Sequence, residues 1–251
     1  MKRYLYLLHR WMGITLCLFM AMWFFSGVVM MYVGYPRLTL SERLASLPEI
    51  DASACCVDLD AALAATGDAK APQSIRLTSV AGAPRYIFEY DKDRFVAVDA
   101  RTASRIVSVD ETAAVAAAQN FRAGATAAYQ GVVDEDAWTH SKALEGHRPM
   151  HRVQMDDADG TLLYVSGTTG EVVRDATRTE RIWNWFGAWI HYLYMFRGGA
   201  IDPYWKNIMV CTSLMATVLS LLGLAVGVLR WRFAGHYKSG AKSPYRYGVM
   251  R

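Results

Sequence analysis

Two long stretches without a charge constrain this chain before anything else in it is read. No Asp, Glu, Lys or Arg occurs from Trp11 to Pro36, and none from Asn207 to Leu229. Each run exceeds the roughly 20 apolar residues that, at about 1.5 Å of helical rise apiece, cross a hydrocarbon core of about 30 Å. Two transmembrane helices are expected, with a stretch of ordinary polar composition between them. A cleaved leader fits the first run less well, because signal-peptide cores span about 7 to 15 residues. VMMYVGYP also lacks a small-x-small cleavage site.

The flanks orient the spans. Lys2, Arg3 and Arg10 precede the first, and Arg230, Arg232, Lys238, Lys242, Arg246 and Arg251 follow the second. None of the 23 acidic residues lies in either flank. Loops rich in Lys and Arg stay cytoplasmic, so both termini are expected inside and residues of about 37 to 181 outside. The net charge of +4 then reflects topology and gives no reason to expect a nucleic-acid partner.

The outer stretch reads as α+β. A helix over 58–65 and strands at 74–80, 85–90 and 94–99 are followed by a helix over 112–121 and strands near 127–133, 151–155 and 161–166. The matching tails AVDARTASRIV (97–107) and YVSGTTGEVVR (164–174) point to an internal duplication. Units this small are expected to share a sheet or a core. The expected layout is 1–36 for the N-terminus and first span, and 37–110 and 111–180 for the two outer units. An interfacial aromatic helix and loop follow at 181–205, then the second span at 206–232 and a basic cytoplasmic tail at 233–251. Cys17 and Cys211 fall in the spans, whereas Cys55 and Cys56 are adjacent, which suits an intermolecular bridge or free thiols better than a mutual disulfide.

Of the six histidines, two sit in membrane-like surroundings. His9 heads a stripe of small residues at helical spacing, Gly13, Cys17 and Ala21, and His191 lies inside WNWFGAWIHYLYMF (183–196) with Gly187 one turn before it. Neutral imidazole ligates iron, and an apolar aromatic wall suits a porphyrin. The same features describe an interfacial anchor whose histidine bonds to water or lipid, and for His9 a membrane-edge cation beside Arg10. The two residues are expected roughly 35 Å apart along the helix axis, too far to ligate one iron. His147 and His151, in HRPMH, form a candidate metal pair or a solvated loop, with Pro149 arguing against a helix through them. His140 and His236 read as surface residues. Gly223 and Gly227 form a small-xxx-small pair suited to helix packing. No nucleotide fingerprint, phosphate loop or nucleophile elbow is present, and catalytic residues are not identified.

The opening LLHRWMGITLCLFMAMWFFSGVVMMY, the repeated units ending in VDARTASRIV and SGTTGEVV, and WIHYLYMFRGG followed by SLLGLAVGVLRWRF resemble the PepSY-associated transmembrane proteins over nearly the full length. Larger relatives include a bacterial inner-membrane ferric-siderophore reductase with two b-type haems on membrane histidines. The resemblance implies two PepSY-like periplasmic units in the inner membrane of a bacterium. It also implies haem b on His9 and His191, with Gly13 and Gly187 against the macrocycle, and oxidoreductase activity toward a ferric chelate. This chain has two spans where those relatives have four, so a four-helix site requires a homodimer, in which His9 meets His9 and His191 meets His191. The alternative is a haem-free anchor that binds a periplasmic partner such as a protease, or an accessory factor of an iron-uptake or respiratory complex.

Overall fold

The computed structural model describes residues 2–51, 53, 55–91, 93–197 and 199–231. Arg232, His236 and the tail 233–251 lie outside the described residues. In chain order the elements are α1 (Lys2–Tyr32), α2 (Leu40–Ser46), α3 (Leu59–Ala65), β1 (Ser74–Val80), β2 (Ala83–Asp91), β3 (Arg94–Asp99), β4 (Arg105–Ile106), α4 (Glu111–Phe121), β5 (Ala127–Val133), β6 (Met150–Met155), β7 (Leu162–Ser166), β8 (Val172–Ala176), α5 (Arg178–Asn184) and α6 (Trp205–Arg230). They fall into two compact units, one of residues 29–188 and one joining 2–28 to 189–231.

The unit of 29–188 repeats one pattern, a helix followed by a four-stranded antiparallel meander: α3 with β1-β2-β3-β4, then α4 with β5-β6-β7-β8. The duplication extends to single backbone groups. Val57 N donates to Ala100 O at 2.7 Å, and in the second copy Val109 N donates to Gly167 O at 3.1 Å. Ala100 N donates to Pro84 O and Gly167 N to Pro149 O, both at 3.0 Å. Asp99, the last residue of β3, accepts from Arg101 N and Thr102 N through its side chain. Ser166, the last residue of β7, accepts from Thr168 N and Thr169 N in the same way. Four residues further on, Ala103 and Gly170 adopt φ of 54° and 75°, which lets their N–H groups return to Asp99 O and Ser166 O.

Helix α4 forms because Asp110 caps it, accepting from Ala113 N at 2.8 Å, and because alanine fills most of its length. Its buried positions Ala114, Ala117, Ala118 and Phe121 recur at helical spacing and face Val153, Met155, Leu163 and Val165 of the second sheet. Val80 of β1 and Val109 join the same cluster, so the two sheets remain separate while their repeats share a core. A second cluster under the first sheet gathers Ala62, Phe88, Tyr90, Val96 and Val98. Tyr90, with no solvent exposure, donates its hydroxyl to Thr66 Oγ1 at 2.7 Å and so satisfies a group that would otherwise be costly to bury.

The stretch between β5 and β6 includes a 3-10 turn at Lys142–His147. It is held by Tyr35, whose hydroxyl donates to Ala137 O at 2.9 Å and accepts from His140 N at 3.1 Å. Tyr164 donates to Asp136 Oδ2 at 2.7 Å, and burial followed by the Asp136 charge pushes its phenol up. Gly146 is required there: a Cβ would come within 2.4 Å of Asp93 O.

Three expectations are corrected. Cys55 and Cys56 form a mutual disulfide, and the cis peptide between them places their Cα atoms 3.2 Å apart. The aromatic stretch is not one helix. Helix α5 gives way to a π turn over Trp185–Trp189, with Gly187 at φ −95° and ψ −105°, and then to Leu193 at φ 53° and a 3-10 turn at Tyr194–Phe196. Its first half packs within the sheet-bearing unit, where Trp185 meets Trp138 edge-on at 5.6 Å and Asn184 donates to Gly34 O. Finally, His140 is not a surface residue. Its side chain is 9% exposed and its Nδ1 pairs with Glu135, which also binds Arg148.

Candidate functional site

Both spans pass the test of length and composition: Arg3–Tyr32 and Asp202–Arg230 each have mean hydropathy 2.1 over their best window. Helices α1 and α6 pair antiparallel. Tyr6 lies under the Arg230 guanidinium, His9 against Gly223, and the Gly13 site is 4.0 Å from Leu219 Cδ1. Small or buried residues line the seam, with Leu16 on α1 and Ala216 on α6 shielded from solvent. The seam is sparse, and most of both spans stays exposed.

Each imidazole of interest sits on this unit, at opposite ends. A Cβ at Gly223 would come within 3.1 Å of His9 Cε1 and 3.8 Å of either ring nitrogen, so a larger residue there would shift the ring by a few tenths of an ångström. His9 Nδ1 is buried and finds no hydrogen-bond partner among the described residues. Tyr4, Leu5, Leu7, Leu8, Trp11 and Leu222 line an open apolar groove of which His9 is not part.

At the other end His191 precedes α6 and lies alongside α1. Its Nδ1 is 3.1 Å from Ser26 Oγ, and the Ser26 hydroxyl also donates to Trp23 O at 3.0 Å. Trp23 Nε1 donates to His191 O at 2.7 Å, with its ring tilted 5.8 Å from the imidazole. A Cβ at Gly27 would stand 3.6 Å from His191 Cε1, an ordinary contact, so this seat is looser than that of His9. The left-handed Leu193 turns the chain away immediately afterwards, and Trp205 Nε1 donates to Tyr192 O to hold the turn to the start of α6. Eighteen residues of α1 separate His9 from Gly27, about 27 Å at helical rise. The separation is shorter than the sequence suggests, and it still precludes one shared iron.

Gly13 faces Leu219, while the side chains nearest Gly187 are Val29 and Met30, with Val29 Cγ1 and Met30 Cγ at 3.2 and 3.3 Å from its would-be Cβ. The residues that do meet the rings, Gly27 and Ser26 for His191 and Gly223 for His9, are ordinary span residues in the sequence. Gly223 is legible there only as half of a packing motif.

His147 and His151 lie in the sheet-bearing unit. His151 Nε2 faces Val109 O at 2.9 Å and must carry the proton, so its Nδ1 accepts from Tyr129 Oη at 2.9 Å. His147 stacks on Phe95 with centroids 4.4 Å apart, and its Nδ1 is 3.0 Å from Ser166 Oγ. Burial, then Arg43 and Arg76, lowers its pKa to about 4. Among the described residues no group of three or more His, Cys, Asp or Glu side chains is placed to hold a metal ion.

No family model, curated protein or solved structure matches the chain. The fold itself defines a mixed α+β chain in which two helices long and apolar enough to cross a membrane accompany a sheet-containing domain.

Proposed function

We propose that this chain is a bacterial inner-membrane b-type haem protein that passes electrons outward to a periplasmic acceptor, a ferric chelate. The observation that carries the reading is the placement of two imidazoles about 27 Å apart along α1, His9 against Gly223 of α6 and His191, ahead of α6, against Gly27 of α1. The donor set fits haem in two respects. His191 has its Nδ1 engaged by Ser26, which leaves Nε2 for iron. His9 has a buried ring nitrogen without a partner among the described residues, a polar group that a ligand would satisfy.

Bound haem supplies a one-electron iron couple. The chain's own residues would fix its level in the membrane, exclude water and set the ligand orientation. His9 would serve the cytoplasmic end and His191 the outer end. In a homodimer, two-fold symmetry supplies the second imidazole for each iron. The sheet-bearing unit would form the docking surface for the acceptor.

The same packing supports a second reading. Imidazoles seated against Gly27 and Gly223 lock two anchor helices without any cofactor, and the chain would then tether its sheet-bearing unit for a periplasmic partner such as a protease. Visible absorbance of the full chain, purified in detergent from haem-replete cells, separates the two. The expected result is a Soret band with reducible α and β bands, and loss of about half the haem in each of His9→Ala and His191→Ala. No Soret band rejects the haem protein, and full haem content in both variants rejects His9 and His191 as its ligands and with them the conduit. Haem that is present but not oxidised by ferric chelates rejects the acceptor alone.

A further inference from the structure

We propose that Ser26 is a positioning residue for His191, holding its imidazole as the Nδ1–H tautomer so that Nε2 presents a bare lone pair. The ligand role of that lone pair rests on the haem reading above; the tautomer does not.

Ser26 is fully buried within an otherwise apolar span, where a hydroxyl is costly unless bonded. It has one proton and two close partners, Trp23 O at 3.0 Å and His191 Nδ1 at 3.1 Å. Trp23 O only accepts, so a Ser26 proton directed to it leaves Oγ as acceptor toward His191. Nδ1 must then be the nitrogen that carries hydrogen. The reverse arrangement, with Ser26 donating to Nδ1, forfeits the bond to Trp23 O. Both observed contacts are made together only in the chain Nδ1–H to Ser26 Oγ, then Oγ–H to Trp23 O.

Two further contacts fix the ring's place without touching Nε2. Trp23 Nε1 grips the His191 carbonyl at 2.7 Å, and Gly27 keeps the α1 surface low enough for the ring to approach. Residues 23, 26 and 27 lie within about one helical turn, so a single face of α1 holds the backbone, the tautomer and the ring plane of His191. A ligating histidine whose other N–H is bonded is oriented and made more basic, and losing that partner typically weakens metal affinity about 10- to 100-fold.

The test uses the full chain in micelles with 15N-labelled histidine at mildly alkaline pH, the His191 signals being assigned through His191→Gln. In haem-free protein the expected spectrum has a protonated Nδ1 and an unprotonated Nε2. Ser26→Ala should convert this to a mixture of tautomers, whereas Trp23→Phe, which removes only the bond to the carbonyl, should leave it unchanged. Haem titration should then show about 10- to 100-fold weaker binding at the His191 site in Ser26→Ala. A wild-type His191 protonated on Nε2, or a Ser26→Ala spectrum identical to wild type, overturns the proposal whatever haem does. The expected tautomers together with no haem binding in wild type uphold the assignment of Ser26 and overturn the haem reading.

Discussion

His147 stays neutral in the fold well below the pH at which a free imidazole charges, its pKa lowered from 6.5 to about 4 by burial and by Arg43 and Arg76. Between those values the unfolded chain binds a proton that the folded chain refuses, so acid weakens the fold through this residue. Asp175 works in the opposite sense. Burial, reinforced by Glu42 and Glu180, raises its pKa from 3.8 to about 6, so the folded chain keeps a proton that the unfolded chain has lost, and acid strengthens the fold. At about 1.4 kcal/mol per pH unit, each effect is on the order of 3 kcal/mol and they largely offset. In denaturant titrations from pH 7 to 4.5, His147→Gln should therefore gain stability on acidification and Asp175→Asn should lose it. Parallel slopes for the two variants would count against these environments. At this scale the sequence is least legible: HRPMH shows two imidazoles at a chelating interval, but not that Ser166, Tyr129 and the Val109 carbonyl occupy three of their ring nitrogens. Ser26 is equally silent, because its partner lies 165 positions away.

The duplicated turns after β3 and β7 place Ala103 and Gly170 at one left-handed position, with φ of 54° and 75°. An L-residue there costs roughly 1–2 kcal/mol, while glycine costs about 0.5–1 kcal/mol of extra chain entropy. Ala103→Gly should thus raise stability by up to about 1 kcal/mol, and Gly170→Ala should lower it by more, since its Cβ would also meet Arg85 Nη1 at 2.6 Å. Denaturant midpoints of the two variants check both signs. Strands β1, β2, β3, β5, β6 and β7 were readable because alternation and Gly- or Asp-bearing turns bound them, whereas β4 and β8 went unread, although the tails 97–107 and 164–174 that contain them already carry the repeat. Helix α2 was not, although its Thr39-x-x-Glu42 capping box is plain in the sequence, because its seven residues bury no side chain and so offer no hydrophobic period. The break at Gly187 is hidden by the uniformly apolar letters around it.

Across the whole molecule, absence of charge located α1 and α6, and the asymmetry of Lys and Arg predicts cytoplasmic termini. A cysteine replacing Lys142 in a Cys55, Cys56-free chain should react with an impermeant maleimide in intact spheroplasts, whereas one replacing Lys2 should react only after lysis. Labelling of both before lysis would contradict the proposed orientation. The pairing of the spans was less readable, since a small-residue stripe specifies close approach without naming its partner. That pairing bears on synthesis. His9 emerges from the ribosome among the first residues, yet the glycine against which it rests is at 223. His191, in turn, meets a wall on α1 that has long since been made. The seat of His191 can form as the chain reaches residue 191, whereas that of His9 waits for the last span to be made, so the two ends of the pair mature in a fixed order.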